Sequence, residues 1–103
     1  MREILAYAHF LPTAAGGLRR DFHSGLRIPV DFGLLDEDGL RRHYDCWIEL
    51  VDREQVAPGE DCSIILKPFP ESLAGKVIVG IPFGLREGRV IATGIITAIR
   101  KSN

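Results

Sequence analysis

The chain has 103 residues and a formal net charge of −1 at pH 7, and 46% of its residues are hydrophobic, which is ordinary for a globular protein. This length predicts one domain, spanning residues 1–103, that folds without disulfide bonds. Because the net charge is close to zero, a strong overall attraction to nucleic acid or to an anionic membrane is excluded, and any affinity for phosphate must come from local groups of basic residues.

Apolar side chains alternate with a period of two along most of the chain, which predicts half-buried β-strands. Six segments carry this alternation: Arg2–Leu11, Leu26–Phe32, Tyr44–Val51, Cys62–Lys67, Lys76–Phe83 and Arg89–Ile99. A loop of small residues, PTAAGG, follows the first segment, and APGED forms a turn before the fourth. No segment shows ten or more residues of helical periodicity.

The alternation also predicts which side chains face the core. In the third segment Cys46, Ile48 and Leu50 point one way, so Trp47 points the other way. In the fifth segment the inward residues are predicted to be Val77, Val79, Ile81 and Phe83. We therefore expect four side chains from different strands to be buried in the centre of the molecule, namely Ile48, Ile64, Val79 and Ile96.

Six strands with short turns and no helix favour a closed barrel or a sandwich, because closure removes the unpaired strand edge of an open sheet. The barrel is the preferred prediction. The fold class is thus expected to be all-β, as a six-stranded antiparallel closed barrel.

Catalytic signatures are missing from the sequence. There is no GxxxxGK[ST] phosphate-binding loop, and the DFHS stretch with Asp21, His23 and Ser24 lacks the GxSxG elbow of a nucleophile. The three histidines are scattered without metal-binding spacing. We expect no catalytic residue, no metal, no cofactor and no bound nucleotide; an enzyme with an unrecognised site is kept as a further alternative.

The N-terminal segment is too short and too polar for a signal peptide or a membrane span, since His9 and Pro12 interrupt its apolar run. Cys46 and Cys62 lack CxxC spacing and fall on apolar strand faces, which predicts small core residues. Together these features predict a reduced, cytoplasmic protein with no membrane contact.

Basic and acidic residues are segregated by loop. Arg19, Arg20 and Arg27 lie around the loop before the second segment, and Arg86 and Arg89 lie around the last hairpin, where the sequence reads REGR. Six acidic residues fall elsewhere, namely Asp36, Glu37, Asp38, Glu54, Glu60 and Asp61. Guanidinium groups bind phosphate or carboxylate bidentately, so this pattern is typical of contact with RNA or with an acidic protein. A mixed, solvated surface is the alternative interpretation for each single arginine.

Four stretches occur in order along the chain: FLPTAAGG, GLRIPVDF, APGEDCSIIL and PFGLREGRVIATGII. Their order and spacing resemble the C-terminal β-barrel, the third domain, of bacterial elongation factor Tu, and the resemblance covers nearly the whole chain. It implies a six-stranded antiparallel barrel. In that family the domain performs no chemistry; it contacts the T arm of aminoacyl-tRNA, the GTPase domain and the exchange factor.

The resemblance is incomplete at positions that contact RNA in the family. Leu18 stands where the family has an arginine, Pro29 replaces a glutamine, and one glycine is missing from the hairpin. Arg19 and Arg20 could substitute for the first of these losses. A GTPase domain is absent from this chain.

We therefore expect a translation factor-like, non-enzymatic module that binds a macromolecule. A protein partner is preferred, and the backbone of tRNA or of another structured RNA is the alternative. Trp47 is also compatible with a homodimer contact, because a large exposed aromatic side chain is a common interface anchor. The predicted binding residues are Arg19, Arg20, Arg27, Trp47, Arg86, Glu87, Gly88 and Arg89.

Overall fold

The structure, a computed structural model, describes residues 2–69 and 71–101. Its eight strands are β1 (Arg2–Phe10), β2 (Phe22–His23), β3 (Leu26–Leu35), β4 (Arg41–Leu50), β5 (Gln55–Val56), β6 (Asp61–Phe69), β7 (Pro82–Arg86) and β8 (Val90–Lys101). Two 3₁₀ helices cover Thr13–Ala15 and Glu71–Lys76, and the described residues contain no α-helix.

Six long strands close into one antiparallel barrel in the order β1-β6-β4-β3-β7-β8, with β8 returning to β1. The predicted fold class, an all-β six-stranded closed barrel, is confirmed. Of the neighbouring barrel strands, β3 and β7 have the fewest paired residues, with only Val30 opposite Leu85 and Asp31 opposite Gly84. The two short strands β2 and β5 form a separate ribbon.

The barrel interior is filled by alternate residues of each strand. Ile4 and Ala6 on β1, Ile48 on β4, Ile64 on β6 and Ile96 on β8 are all buried. This pattern follows from the strand geometry, in which successive side chains point to opposite faces. The predicted burial of Ile48, Ile64 and Ile96 is thus confirmed.

Chain segments outside the six barrel strands close both ends of the barrel. At the end where β1 finishes, Leu18, Phe22 and Val56 are buried, and the ring of Phe22 lies 5.3 Å from that of Phe10. At the opposite end, the 3₁₀ helix Glu71–Lys76 follows β6 and contacts β1 and β6. These two plugs complete a core that the strands alone would leave open to water.

The fifth predicted strand is wrong in its position. Residues 71–76 form the 3₁₀ helix, a loop follows, and β7 begins only at Pro82. Val77, directly after the helix, is buried, but Val79 is 59% exposed, which contradicts its predicted burial. The chain turns at Gly80, whose φ of 94° few side chains tolerate, so the alternation from Val77 to Ile81 does not describe a strand.

Candidate functional site

The predicted binding residues lie in two separate places on the barrel. Arg27 and Trp47 lie on its outer wall. Arg19, Arg20, Glu87 and Arg89 meet where the loop between β1 and β2, which we call the first loop, contacts the last hairpin between β7 and β8. We call the first place the aromatic surface, formed by Arg27, Trp47 and Phe69. We call the second the hairpin groove, lined by Thr13, Gly16, Gly17, Leu18, Arg19, Arg20, Glu87 and Arg89.

The aromatic surface is built by three neighbouring strands. Arg27 on β3 is opposite Trp47 on β4, and Phe69 on β6 is opposite Asp45 on β4. Because Cys46 and Ile48 point into the core, the residues between and beside them point outward. Trp47 is 46% exposed and Phe69 is 58% exposed.

The guanidinium group of Arg27 joins the two aromatic rings. Its central carbon lies 4.6 Å from the centroid of the Phe69 ring and 5.9 Å from that of Trp47, distances typical of cation–π contacts. Its Nη2 atom lies 3.2 Å from Oδ2 of Asp45. Arg27 is therefore held in place by one carboxylate and two rings.

A chain of ion pairs borders the aromatic surface. Lys67, which is opposite Trp47 in the sheet, places Nζ 2.7 Å from Oε1 of Glu49 and 3.7 Å from Oε2 of the buried Glu3. The hydrogen bond to Glu49 is the main cause of a raised pKa of Lys67. Arg100 binds Glu3 from the other side, with Nε 3.0 Å from Oε1. The cations beside Trp47 thus already have carboxylate partners.

Phe69 was not among the predicted site residues. The fourth strand is predicted to end at Lys67, because the prolines that follow it, Pro68 and Pro70, interrupt the alternation. In the structure Pro68 is a buried strand residue opposite Cys46, and the alternation continues through it to Phe69. The signal was present in the series Cys62, Ile64, Leu66 and Pro68, whose next outward residue is Phe69.

The hairpin groove has a volume of about 510 Å³ and is open to solvent. Nη2 of Arg20 lies 2.6 Å from Oε1 of Glu87, so this ion pair crosses from the first loop to the hairpin. Arg89 donates from Nε to the carbonyl oxygen of Gly16 at 2.6 Å and from Nη2 to that of Gly17 at 3.1 Å. Two of the groove's three arginines therefore already bind groups of the chain itself.

The double glycine of the PTAAGG loop has a structural explanation. Gly16 ends the first 3₁₀ helix with a left-handed φ of 98°. A Cβ atom on Gly17 would lie 1.9 Å from the carbonyl oxygen of Leu11, so only glycine fits there. Thr13 donates from its hydroxyl to the carbonyl oxygen of Leu18 at 2.5 Å, which closes the loop. These contacts fix the groove wall.

The other hairpin residues have distinct positions. Gly88 adopts a φ of 76° in the turn, where the Glu87 N–H donates to the Arg89 carbonyl oxygen at 2.9 Å. Arg86 is half-buried on β7 and does not line the groove. Among the residues that the structure describes, Arg19 and Arg86 form no ion pair. REGR is thus a turn whose Glu87 and Arg89 attach it to the first loop.

Asp21 and Ser24 of DFHS are hydrogen-bonded to residues of other segments. Ser24 accepts a hydrogen bond from the Leu50 N–H at 2.9 Å, and Asp21 accepts one from Gln55 Nε2 at 2.8 Å. Burial raises the pKa of the Cys46 thiol to about 12, so this thiol stays protonated at neutral pH. Within residues 2–69 and 71–101, no group of three His, Cys, Asp or Glu side chains is arranged as metal ligands.

The chain matches no protein-family model and no curated protein. In the described part of the chain no helix is long and apolar enough to cross a membrane.

Proposed function

We propose that this chain is a non-enzymatic binding module that docks a protein partner through the aromatic surface. The observation that carries the proposal is the exposure of Trp47 and Phe69 on neighbouring strands, with the guanidinium group of Arg27 in contact with both rings. Tryptophan and arginine are enriched among the residues that dominate binding energy in protein interfaces, and aromatic residues are enriched in interfaces generally. The resemblance to the third domain of elongation factor Tu supports a role without chemistry.

The aromatic surface is prepared for binding before a partner arrives. Arg27 is already held by Asp45 and by the two rings, and Trp47 lies on β4, which is paired on both sides. Ordering flexible side chains on binding opposes association by about 0.5–1.5 kcal/mol for each side chain. Because the side chains of this surface are already ordered, less free energy is lost in ordering them when a partner binds.

RNA binding, the alternative, has less support from the side-chain contacts. A protein that follows a phosphate backbone needs several cations free to contact it. Of the five arginines predicted for this role, Arg20 binds Glu87, Arg27 binds Asp45 and Arg89 binds two carbonyl oxygens. Arg27 is also opposite Trp47 on the barrel wall and is not part of the hairpin groove. Protein binding at the aromatic surface does not require these contacts to break.

The proposal is tested with affinity capture from source cells, using the wild type, Trp47→Ala and Phe69→Ala. The captured protein is then purified and titrated against each form. Tyr7→Ala is the matched control, because Tyr7 is 51% exposed on the outer wall but lies on β1, opposite Ile95 and Ser63. We expect each aromatic-surface variant to weaken binding by at least about tenfold, while Tyr7→Ala leaves it unchanged.

Two results would contradict the proposal. One is a purified partner that binds Trp47→Ala, Phe69→Ala and the wild type equally. The other is a captured species that consists of RNA and dissociates on ribonuclease treatment. Light scattering of the wild type and Trp47→Ala separates the homodimer alternative, since a dimer built on this surface would become monomeric in the variant.

A further inference from the structure

We propose that the hairpin groove is a second binding site, which takes the carboxylate of an acidic side chain from a protein partner. Glu87 occupies this carboxylate position in the free chain. This inference rests on the proposed function, since a docked protein partner would supply the acidic side chain. The groove shares no residue with the aromatic surface. Each proposal can therefore be refuted without the other.

Local charge is the first observation that supports an anionic ligand. Three arginines and one glutamate line the groove, which gives it a net charge of +2, whereas the whole chain has a net charge of −1. The positive charge is concentrated in a concave site, which strengthens its attraction for an anion. Arg19 is exposed and makes no ion pair among the described residues, so its charge is available to a ligand.

The contact between Arg20 and Glu87 shows which anion the groove fits. Glu87 Oε1 lies 2.6 Å from Arg20 Nη2, so a side-chain carboxylate already makes a short charge-assisted hydrogen bond there. The two side chains are 62% and 37% exposed, and an ion pair in such contact with water contributes little to stability. An external carboxylate can replace Glu87 without disturbing the core.

The rest of the groove is held by contacts that do not involve Glu87, so we expect it to remain in place during this exchange. Arg89 is fixed by the carbonyl oxygens of Gly16 and Gly17, and Gly17 is packed against the backbone of Leu11. The exchange therefore frees one guanidinium group, that of Arg20, beside the exposed Arg19. This suits a single acidic side chain better than the row of phosphates in an RNA backbone.

The test is a titration of the ¹⁵N-labelled chain with an N-acetylated, C-amidated hexaglutamate peptide, followed by NMR at low salt. The blocked ends restrict the carboxylates to side chains. We expect the amide signals of Gly16, Gly17, Glu87 and Gly88 to shift and saturate, and the indole N–H signal of Trp47 to stay unchanged. A hexaglutamine peptide is expected to cause no shift.

Substitutions give the result its specificity. Glu87→Gln removes the internal competitor while keeping the side-chain size, and we expect it to tighten peptide binding about two- to fivefold. Arg20→Gln is expected to weaken binding by at least about fivefold. Glu54→Gln, which removes an exposed glutamate outside the groove, is the matched control and should leave the affinity unchanged.

Three results would overturn the inference: equal affinity of the wild type, Glu87→Gln and Arg20→Gln; shifts located away from the groove; or tighter binding of an RNA hairpin than of hexaglutamate at the same amides. The Trp47→Ala variant separates this inference from the proposed function. If Trp47→Ala loses its partner but hexaglutamate never binds, the aromatic surface is retained as a docking site and the groove is not.

Discussion

Arg89 binds Gly16: its Nε atom lies 2.6 Å from the glycine carbonyl oxygen. A second hydrogen bond runs from Nη2 to the carbonyl oxygen of Gly17. Backbone carbonyls in a loop have no strand partner, so an unbound carbonyl would have to rely on water. Arg89 therefore attaches the last hairpin to the first loop and fixes one wall of the hairpin groove.

This contact predicts that Arg89→Ala lowers the free energy of unfolding by about 1.5–3 kcal/mol, because hydrogen bonds from a charged donor are lost. Arg19→Ala, in the same groove but without an ion pair among the described residues, should change it by less than about 0.5 kcal/mol. Urea denaturation followed by circular dichroism measures both. Equal effects of the two substitutions would show that Arg89 does not stabilise the loop.

Two glycines of the last hairpin make a matched pair for a packing test. A Cβ atom on Gly94 would lie 2.3 Å from the Tyr7 carbonyl oxygen and 2.6 Å from the Phe83 ring, whereas one on Gly84 would meet only ordinary contacts at 3.7 Å or more. We expect Gly94→Ala to destabilise the barrel by about 3 kcal/mol or more. Gly84→Ala should be neutral or slightly stabilising.

Thermal and urea denaturation of the two glycine variants check this prediction. If Gly94→Ala were as stable as Gly84→Ala, β1 and β8 would have to be further apart than their pairing at Ala8 and Gly94 implies.

The core itself is tested by Ile64→Ala and Val79→Ala. Ile64 is fully buried, so truncation leaves a cavity and should lower the free energy of unfolding by about 2–4 kcal/mol. Val79 is 59% exposed, so its truncation should change it by less than about 0.5 kcal/mol. Urea denaturation distinguishes the two, and a large loss with Val79→Ala would instead support the strand predicted from the sequence.

The contrast between Ile64 and Val79 shows what strand alternation can predict. Where a segment pairs on both sides, as β6 does with β1 and β4, the period of two correctly gives the inward residues. From Val77 to Ile81 the same period arises in a loop, because one residue plugs the barrel end and others reach solvent. Local pattern cannot separate these cases, since the difference lies in which strands are available for pairing.

The candidate site was predictable to a similar extent. The alternation of Cys46, Trp47 and Ile48 predicts that Trp47 points outward, but the contact of Arg27 with both Trp47 and Phe69 depends on strand order around the barrel, which a single sequence does not specify. The arginines of the first loop and last hairpin were found from composition. The hydrogen bonds of Arg20 to Glu87 and of Arg89 to loop carbonyls form only in the folded chain. The sequence could therefore not show that these two arginines already have partners.

Asp31 predicts a pH dependence of stability. Partial burial of its carboxyl raises the pKa, but hydrogen bonds from Arg41 and from the Gly33 N–H, with the charges of Arg41 and His43, outweigh burial and lower the pKa below its ordinary value. The ionised carboxylate therefore stabilises the folded state above the unfolded-state pKa of about 3.9. This stabilisation is lost as the pH falls through the lower folded-state pKa.

We expect the free energy of unfolding of the wild type to fall between about pH 5 and pH 2, and the fall to be smaller in Asp31→Asn. Arg41→Gln should also make this fall smaller, because the substitution removes the main partner of the Asp31 carboxylate. Urea denaturation at several pH values provides the measurement. An unchanged pH dependence in both variants would show that Asp31 is not bound by Arg41 in solution.

The last prediction concerns salt and separates RNA from protein as the partner. If the chain neutralised about four RNA phosphates, binding would release the counterions condensed on them. A plot of log affinity against log salt concentration would then have a slope near −3 to −4. Since three of the five candidate arginines bind groups of the chain itself, we expect a titration with total tRNA at two salt concentrations to show no such slope. The triple variant Arg19→Ala, Arg20→Ala, Arg86→Ala should behave like the wild type, and circular dichroism controls for its folding, with Arg89 left intact to hold the loop. Tight wild-type binding, with a slope that decreases by about one unit for each phosphate-contacting arginine removed, would replace the protein partner by RNA.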